Sequence, residues 1–258
     1  MKKQVKNMKN IMLVLFTVFC CLVSFAQTNE KLFALATDNY QKGQCEEAIK
    51  QYQQIIARGR ESSALYYNMA NAYYKLNKVP ESIYYYEKAL KLDPKNTAAK
   101  NNLTFAKQMT VDAITLLPKT WLQQLSDSIT GLFELHTWAI LSIIAIWGVV
   151  VFFLCYYFVV HTALKRTFFT LLLVTIVIAI GTYSIAHYKQ QQIANEQYAI
   201  LFEKTVRIFA EPNAYSSEVL ELHEGTKVAI IGQETDWLQI QLANGKTGWT
   251  KSSNLKKL

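Results

Sequence analysis

Histidine and cysteine are the side chains best suited to nucleophilic, redox or metal chemistry, and this chain has four of each. Their positions work against a reactive centre. His136, His161 and His187 sit at the ends of long apolar runs, which leaves His223 as the only histidine away from them, with no nucleophile paired to it. Cys20 and Cys21 fall in the N-terminal apolar stretch and Cys155 in a later one. Cys45 alone lies in a polar segment, so it has no disulfide partner there and is expected to be a small buried apolar side chain. Thr17-Val18-Phe19 before Cys20 lacks a lipobox. The expectation is a chain with no catalytic site, metal or cofactor, whose chemistry is recognition.

Recognition needs a repeated or shaped surface, and the sequence supplies one. LATDNYQKGQCEEAIKQYQQII (35–56) aligns with MANAYYKLNKVPESIYYYEKAL (69–90) at a 34-residue offset. That period of paired helices resembles the tetratricopeptide family. Tyr66, Met69, Ala70, Tyr73, Ser82, Tyr86, Ala89 and Pro94 stand at its signature positions. The first repeat matches at Leu32, Leu35, Ala36, Gly43, Ala48, Tyr52 and Ile55, but has Asn39 where the second has Tyr73. Repeats of about 29–62 and 63–96 and a capping helix, Asn96 to Met109, make an all-α domain over 27–110. Solenoids generally need about three units, so outside support is expected. By position, the resemblance implies a groove lined by Phe33, Thr37, Tyr40, Tyr67, Asn71, Tyr74, Asn101 and Phe105 that binds peptides or proteins. The alternative is ordinary packing or exposed side chains.

Beyond residue 198 the pattern changes to period two: Val206-Arg-Ile208, Val228-Ala-Ile230, Leu238-Gln-Ile240-Gln-Leu242. With Asp236-Trp237 and Asn244-Gly245-Lys-Thr-Gly248-Trp249, residues 199–258 resemble the bacterial SH3 family, a small all-β barrel. Gly225 and Gly245 are expected to supply turns and Gly248 room for Trp249. Trp237 and Trp249 are expected in the barrel core. The resemblance implies binding of cell-wall peptides.

Two uncharged runs, 137–160 and 167–188, are each long enough to span a hydrocarbon core. Six residues, HTALKR (161–166), join them, and Lys165 and Arg166 assign that loop to the cytoplasm. The basic MKKQVKNMKN and the apolar Ile11–Phe25 read as a signal peptide over 1–26, with an uncleaved anchor as the alternative. Both readings put the soluble segments on the exported side, which in a two-membrane cell means the inner membrane and periplasm. No ionisable residue lies inside either run, so the hairpin is expected to anchor rather than transport.

Between repeat and membrane, 111–135 forms a linker. Trp121, Leu122, Leu125, Ile129, Leu132 and Phe133 recur at helical spacing opposite Gln123, Gln124, Ser126 and Asp127. Such a face lies either on a bilayer surface or against the repeats. A polar stretch, 189–198, leads into the barrel. The net charge of +8 includes Lys2, Lys3, Lys6 and Lys9, while 199–258 has seven basic and seven acidic side chains. No basic face for nucleic acid remains.

The order of leader, repeats, membrane hairpin and SH3-like barrel resembles the BatE family of aerotolerance operons. That resemblance implies a multidomain scaffold acting in envelope stress. Its implied partners are membrane proteins with von Willebrand A-type domains and, indirectly, a MoxR-type ATPase. A wall tether that binds peptidoglycan through the barrel is the alternative.

Overall fold

The computed structural model describes residues 29–115, 117–195 and 197–258; the proposed signal peptide lies outside them. The described residues form two compact units. One combines the segment up to Thr115 with Tyr198–Leu258, and the other is Leu116–Gln197.

The first unit begins with five helices: α1 (29–41), α2 (Cys45–Ala57), α3 (Ser63–Lys75), α4 (Val79–Leu92) and α5 (Thr97–Gln108). Helix starts are marked by short polar side chains. Ser62 Oγ accepts from Leu65 N, and Asn96 Oδ1 from Ala99 N, each satisfying a backbone donor the helix cannot. Asn96 Nδ2 also donates to Ser63 Oγ, tying the start of one helix pair to the next. Gly43 and Asn77, one repeat apart, both take left-handed backbone conformations and end the first helix of each pair. Small residues let the helices approach: Ala36, Ala48, Ala70, Ser82, Ala89 and Ala99 are all fully buried. Tyr52, Tyr66 and Tyr86 fill the space between pairs. Where the first repeat lacks the second tyrosine, Asn39 Nδ2 donates to Gln51 Oε1 instead.

The same unit ends in seven antiparallel strands: β1 (Gln197–Leu201), β2 (Thr205–Phe209), β3 (Glu218–His223), β4 (Lys227–Glu234), β5 (Trp237–Gln241), β6 (Thr247–Lys251) and β7 (Leu255–Lys257). Their order is β3-β2-β6-β5-β4-β1-β7. Alternate residues Val206, Ile208, Val228, Ile230, Leu238 and Ile240 form its core. Gly248 is required for a reason other than the expected one. A Cβ there would collide with Ile208 Cγ2, so the glycine makes room for the core and not for Trp249.

The second unit holds α6 (Trp121–Thr130), α7 (Leu135–Phe158) and α8 (Thr162–Asn195). α7 and most of α8 are long and apolar enough to cross a membrane. They pack closely enough that a Cβ on Gly148 would come within 3.1 Å of Thr175 Cγ2. The link between them is shorter than the sequence suggests. Only 159–161 are non-helical, and Lys165 and Arg166 belong to the start of α8. Thr162-Ala163-Leu164-Lys165-Arg166 contains no helix breaker, so the helix extends through the basic pair. It also continues through the polar 189–195.

Candidate partner-binding surfaces

The groove positions divide by what they touch. Phe33 packs on Tyr52, with ring centroids 5.7 Å apart, and the Thr37 hydroxyl lies 3.2 Å from the Tyr52 hydroxyl. Tyr40 is half-buried beneath Lys75, whose Nζ sits 3.9 Å from the ring centroid. Tyr67 tilts against Tyr86 at 6.2 Å. Asn71 Oδ1 accepts from the Tyr86 hydroxyl at 2.5 Å and from Asn102 Nδ2 at 2.9 Å. These residues hold helices together. Tyr74, Asn101 and Phe105 are exposed along α3 and α5, with Phe105 56% accessible. Asn102, absent from the sequence-derived set, is the residue that reaches from α5 to Asn71 and Tyr67. Its signal was the neighbouring Asn101: one step along a helix turns a side chain by about 100°.

A second surface is already filled. The strand module docks on α4 and on the segment after α5. Ile200, fully buried, belongs to the same apolar cluster as Tyr66, Ile83, Tyr84 and Leu103. Phe202 meets Tyr84 edge-on at 5.8 Å, and Lys256 Nζ lies 4.6 Å over the Tyr84 ring. Burial of that ammonium beside Lys88 holds the Lys256 pKa below its ordinary value.

Two polar clusters border this contact. Glu87 of α4, nearly buried, accepts from Lys227 Nζ at 2.7 Å and Lys107 Nζ at 2.8 Å. Burial pushes the Glu87 carboxyl up, but the two ammonium groups outweigh it and hold it below the usual range. Asp112 accepts from His223 N at 2.7 Å and Thr226 Oγ1 at 2.6 Å, and His223 Nδ1 lies 2.8 Å from its other oxygen. This is a histidine–carboxylate pair in which the Thr226 hydroxyl bonds the carboxylate and not the imidazole. The arrangement ties the segment after α5 to the β3–β4 turn. Gly225 sits between the clusters at φ +84°, and a Cβ there would come within 2.9 Å of Thr110 Cγ2 and 3.2 Å of Ile83 Cδ1. It serves both as a turn and as a point of close approach.

The outer face of the sheet is the third surface, and here the expectation for the tryptophans is corrected. Trp237 and Trp249 are half-buried and lie outside the core. Trp237 shares strand parity with Gln239 and Gln241, which places it on the outer side. Phe209 pairs with Trp249 across β2 and β6 and meets Trp237 edge-on at 5.6 Å. The core positions go to smaller branched side chains.

Comparison with known families matches a tetratricopeptide repeat over residues 33–97 and a bacterial SH3 domain over residues 204–256. No curated protein matches the chain. A repeat domain and a bacterial SH3 domain together suggest a role in protein interaction or cell-wall binding.

Proposed function

We propose that this chain is a non-enzymatic scaffold anchored in the bacterial inner membrane, whose repeat groove holds a protein partner on the periplasmic side. The observation that carries this reading is the division of labour on the repeat. The SH3-like module occupies α4, while Tyr74, Asn101 and Phe105 stay exposed along the first helices. Exposed aromatics in a groove are the kind of anchor protein partners use. Similarity of domain order to the BatE proteins favours von Willebrand A-type membrane proteins as the partner class. A photo-crosslinker at Tyr74 in living cells tests this. The expected product is a discrete adduct with such a protein, lost when Phe105 is changed to Ala and not formed from a crosslinker at Lys50. Absence of an adduct at Tyr74, or an equal one at Lys50, contradicts the proposal.

A second reading has its own support. Phe209, Trp237 and Trp249 offer an aromatic outer face for a wall peptide or sugar. Sedimentation of the detergent-solubilised full chain with purified peptidoglycan, reduced by Trp237→Ala, would favour it. No sedimentation would remove it.

A further inference from the structure

Helix α6 presents an exposed apolar ridge. None of its residues is buried. Trp121, Leu122, Leu125 and Ile129 are 70, 58, 50 and 40% accessible, and Leu132 and Phe133 extend the ridge at 67 and 45%. Its opposite side carries Gln123, Gln124 and Asp127, the last paired with Lys119 at 2.5 Å. The helix is well defined at its start. Thr120 and Gln123 form a reciprocal capping box, with Thr120 N donating to Gln123 Oε1 at 2.9 Å and Gln123 N to Thr120 Oγ1 at 3.3 Å.

Its other end is tied to the apolar pair. Lys189, near the polar end of α8, donates to Thr130 O at 2.9 Å and Phe133 O at 2.7 Å. Trp138 Nε1, in the first turn of α7, donates to the same Thr130 O at 3.4 Å, and Phe133 packs edge-on against the Trp138 ring at 5.3 Å. Tryptophan and lysine are the residues that mark the boundary between hydrocarbon and water. The corner therefore holds the C-terminal end of α6 at the level where α7 and α8 leave the apolar layer.

We infer that α6 lies flat in the lipid–water interface, with the Trp121, Leu122, Leu125 and Ile129 face buried in lipid. The occupant of the ridge is lipid because the ridge is continuous, through the locked corner, with helices apolar on every side. The chemistry of the lipid follows from the charge. The two basic groups described beside the helix are both engaged within the chain, Lys119 by Asp127 and Lys189 by the Thr130 and Phe133 carbonyls, so binding is driven by apolar area and needs no anionic headgroup. This inference rests on the reading of α7 and α8 as membrane spans.

The test uses the full chain, with its native cysteines replaced, in nanodiscs of phosphatidylcholine alone and with added phosphatidylglycerol. Single nitroxides are placed at residues 121–129 and at Val177, an exposed mid-helix position of α8. Collision rates with oxygen and with a water-soluble nickel chelate are then measured. At 121, 122, 125 and 129 oxygen should dominate, and at 123, 124 and 127 nickel. The pattern should be the same in both lipids. Nickel dominance throughout α6, or exclusion of both reagents on the ridge, overturns the inference, as does a ridge that enters lipid only with phosphatidylglycerol. Val177 separates the causes. If it collides with oxygen while α6 does not, the spans stand and the interfacial helix falls. If it collides with nickel, the membrane reading falls with it.

Discussion

Lys227 Nζ lies 2.7 Å from Glu87 Oε2, an ion pair across 140 residues that joins the SH3-like sheet to helix α4. Glu87 is 10% accessible, so its charge depends on its two lysines and not on water. Lys227→Met should lower the stability of the docked unit by about 1–3 kcal/mol, the penalty for leaving a buried acceptor under-satisfied. Lys42→Met, which breaks an exposed pair with Asp38, should cost no more than about 0.5 kcal/mol. Denaturant midpoints check this, and equal effects would contradict it.

Gly225→Ala should destabilise the same contact for two reasons. It puts a side chain at φ +84° and pushes a methyl against Thr110 and Ile83. The cost should be about 1–3 kcal/mol, as for other strained backbone sites. Crosslinking between cysteines placed on α4 and β7 should weaken in parallel. A variant as stable as the parent would show that the modules do not meet there.

The Asp112–His223 pair makes docking depend on pH. Burial pushes the Asp112 carboxyl up, but bonds from Thr226 and His223 outweigh it and hold it below its ordinary value. The bond to Asp112 raises the His223 pKa above its ordinary value, against a smaller opposing effect of burial. A lowered carboxylate stabilises the fold above its unfolded pKa and loses that contribution as pH falls through the folded value. A raised histidine stabilises below its unfolded pKa and loses it as pH rises through the folded value. The pair therefore contributes most in weak acid, above the Asp112 pKa. The stability difference between the parent and His223→Gln should shrink as pH rises through the raised histidine value. Parallel profiles from about pH 5 to 9 would refute this.

Groove residues should separate by role. Asn71→Ala removes the acceptor of both Tyr86 and Asn102 and should cost about 1–3 kcal/mol of stability. Tyr74→Ala should change stability by no more than about 0.5 kcal/mol. Thermal melts of the two variants decide, and the reverse order would mean that Tyr74 is a packing residue.

The repeats were legible because a 34-residue period, with small and large residues at fixed positions, repeats the same packing problem twice. The strands were legible through the alternation at Leu238 and Ile240. The same alternation groups Trp237 with Gln239 and Gln241 on the outer face, against the core role that the filled interiors of small barrels imply for a large ring. Docking was not legible. Asp112 and His223 are 111 residues apart, and neither lies in a motif that implies the other. The support that a short solenoid needs was expected from a partner or the bilayer, and comes in part from the chain's own C-terminal module.

That docking also bears on topology. Modules that share an apolar cluster must lie on one side of a membrane, so the chain between them crosses an even number of times. Two apolar helices long enough to span would satisfy this, and the basic pair at the start of α8 would then lie on the side opposite both modules. The most direct test of a scaffold displayed outside the cytoplasm is a set of alkaline phosphatase fusions in cells. Fusions after Thr115 and Leu258 should be active and one after Arg166 inactive. Activity after Arg166 with silence at Leu258 would contradict the account.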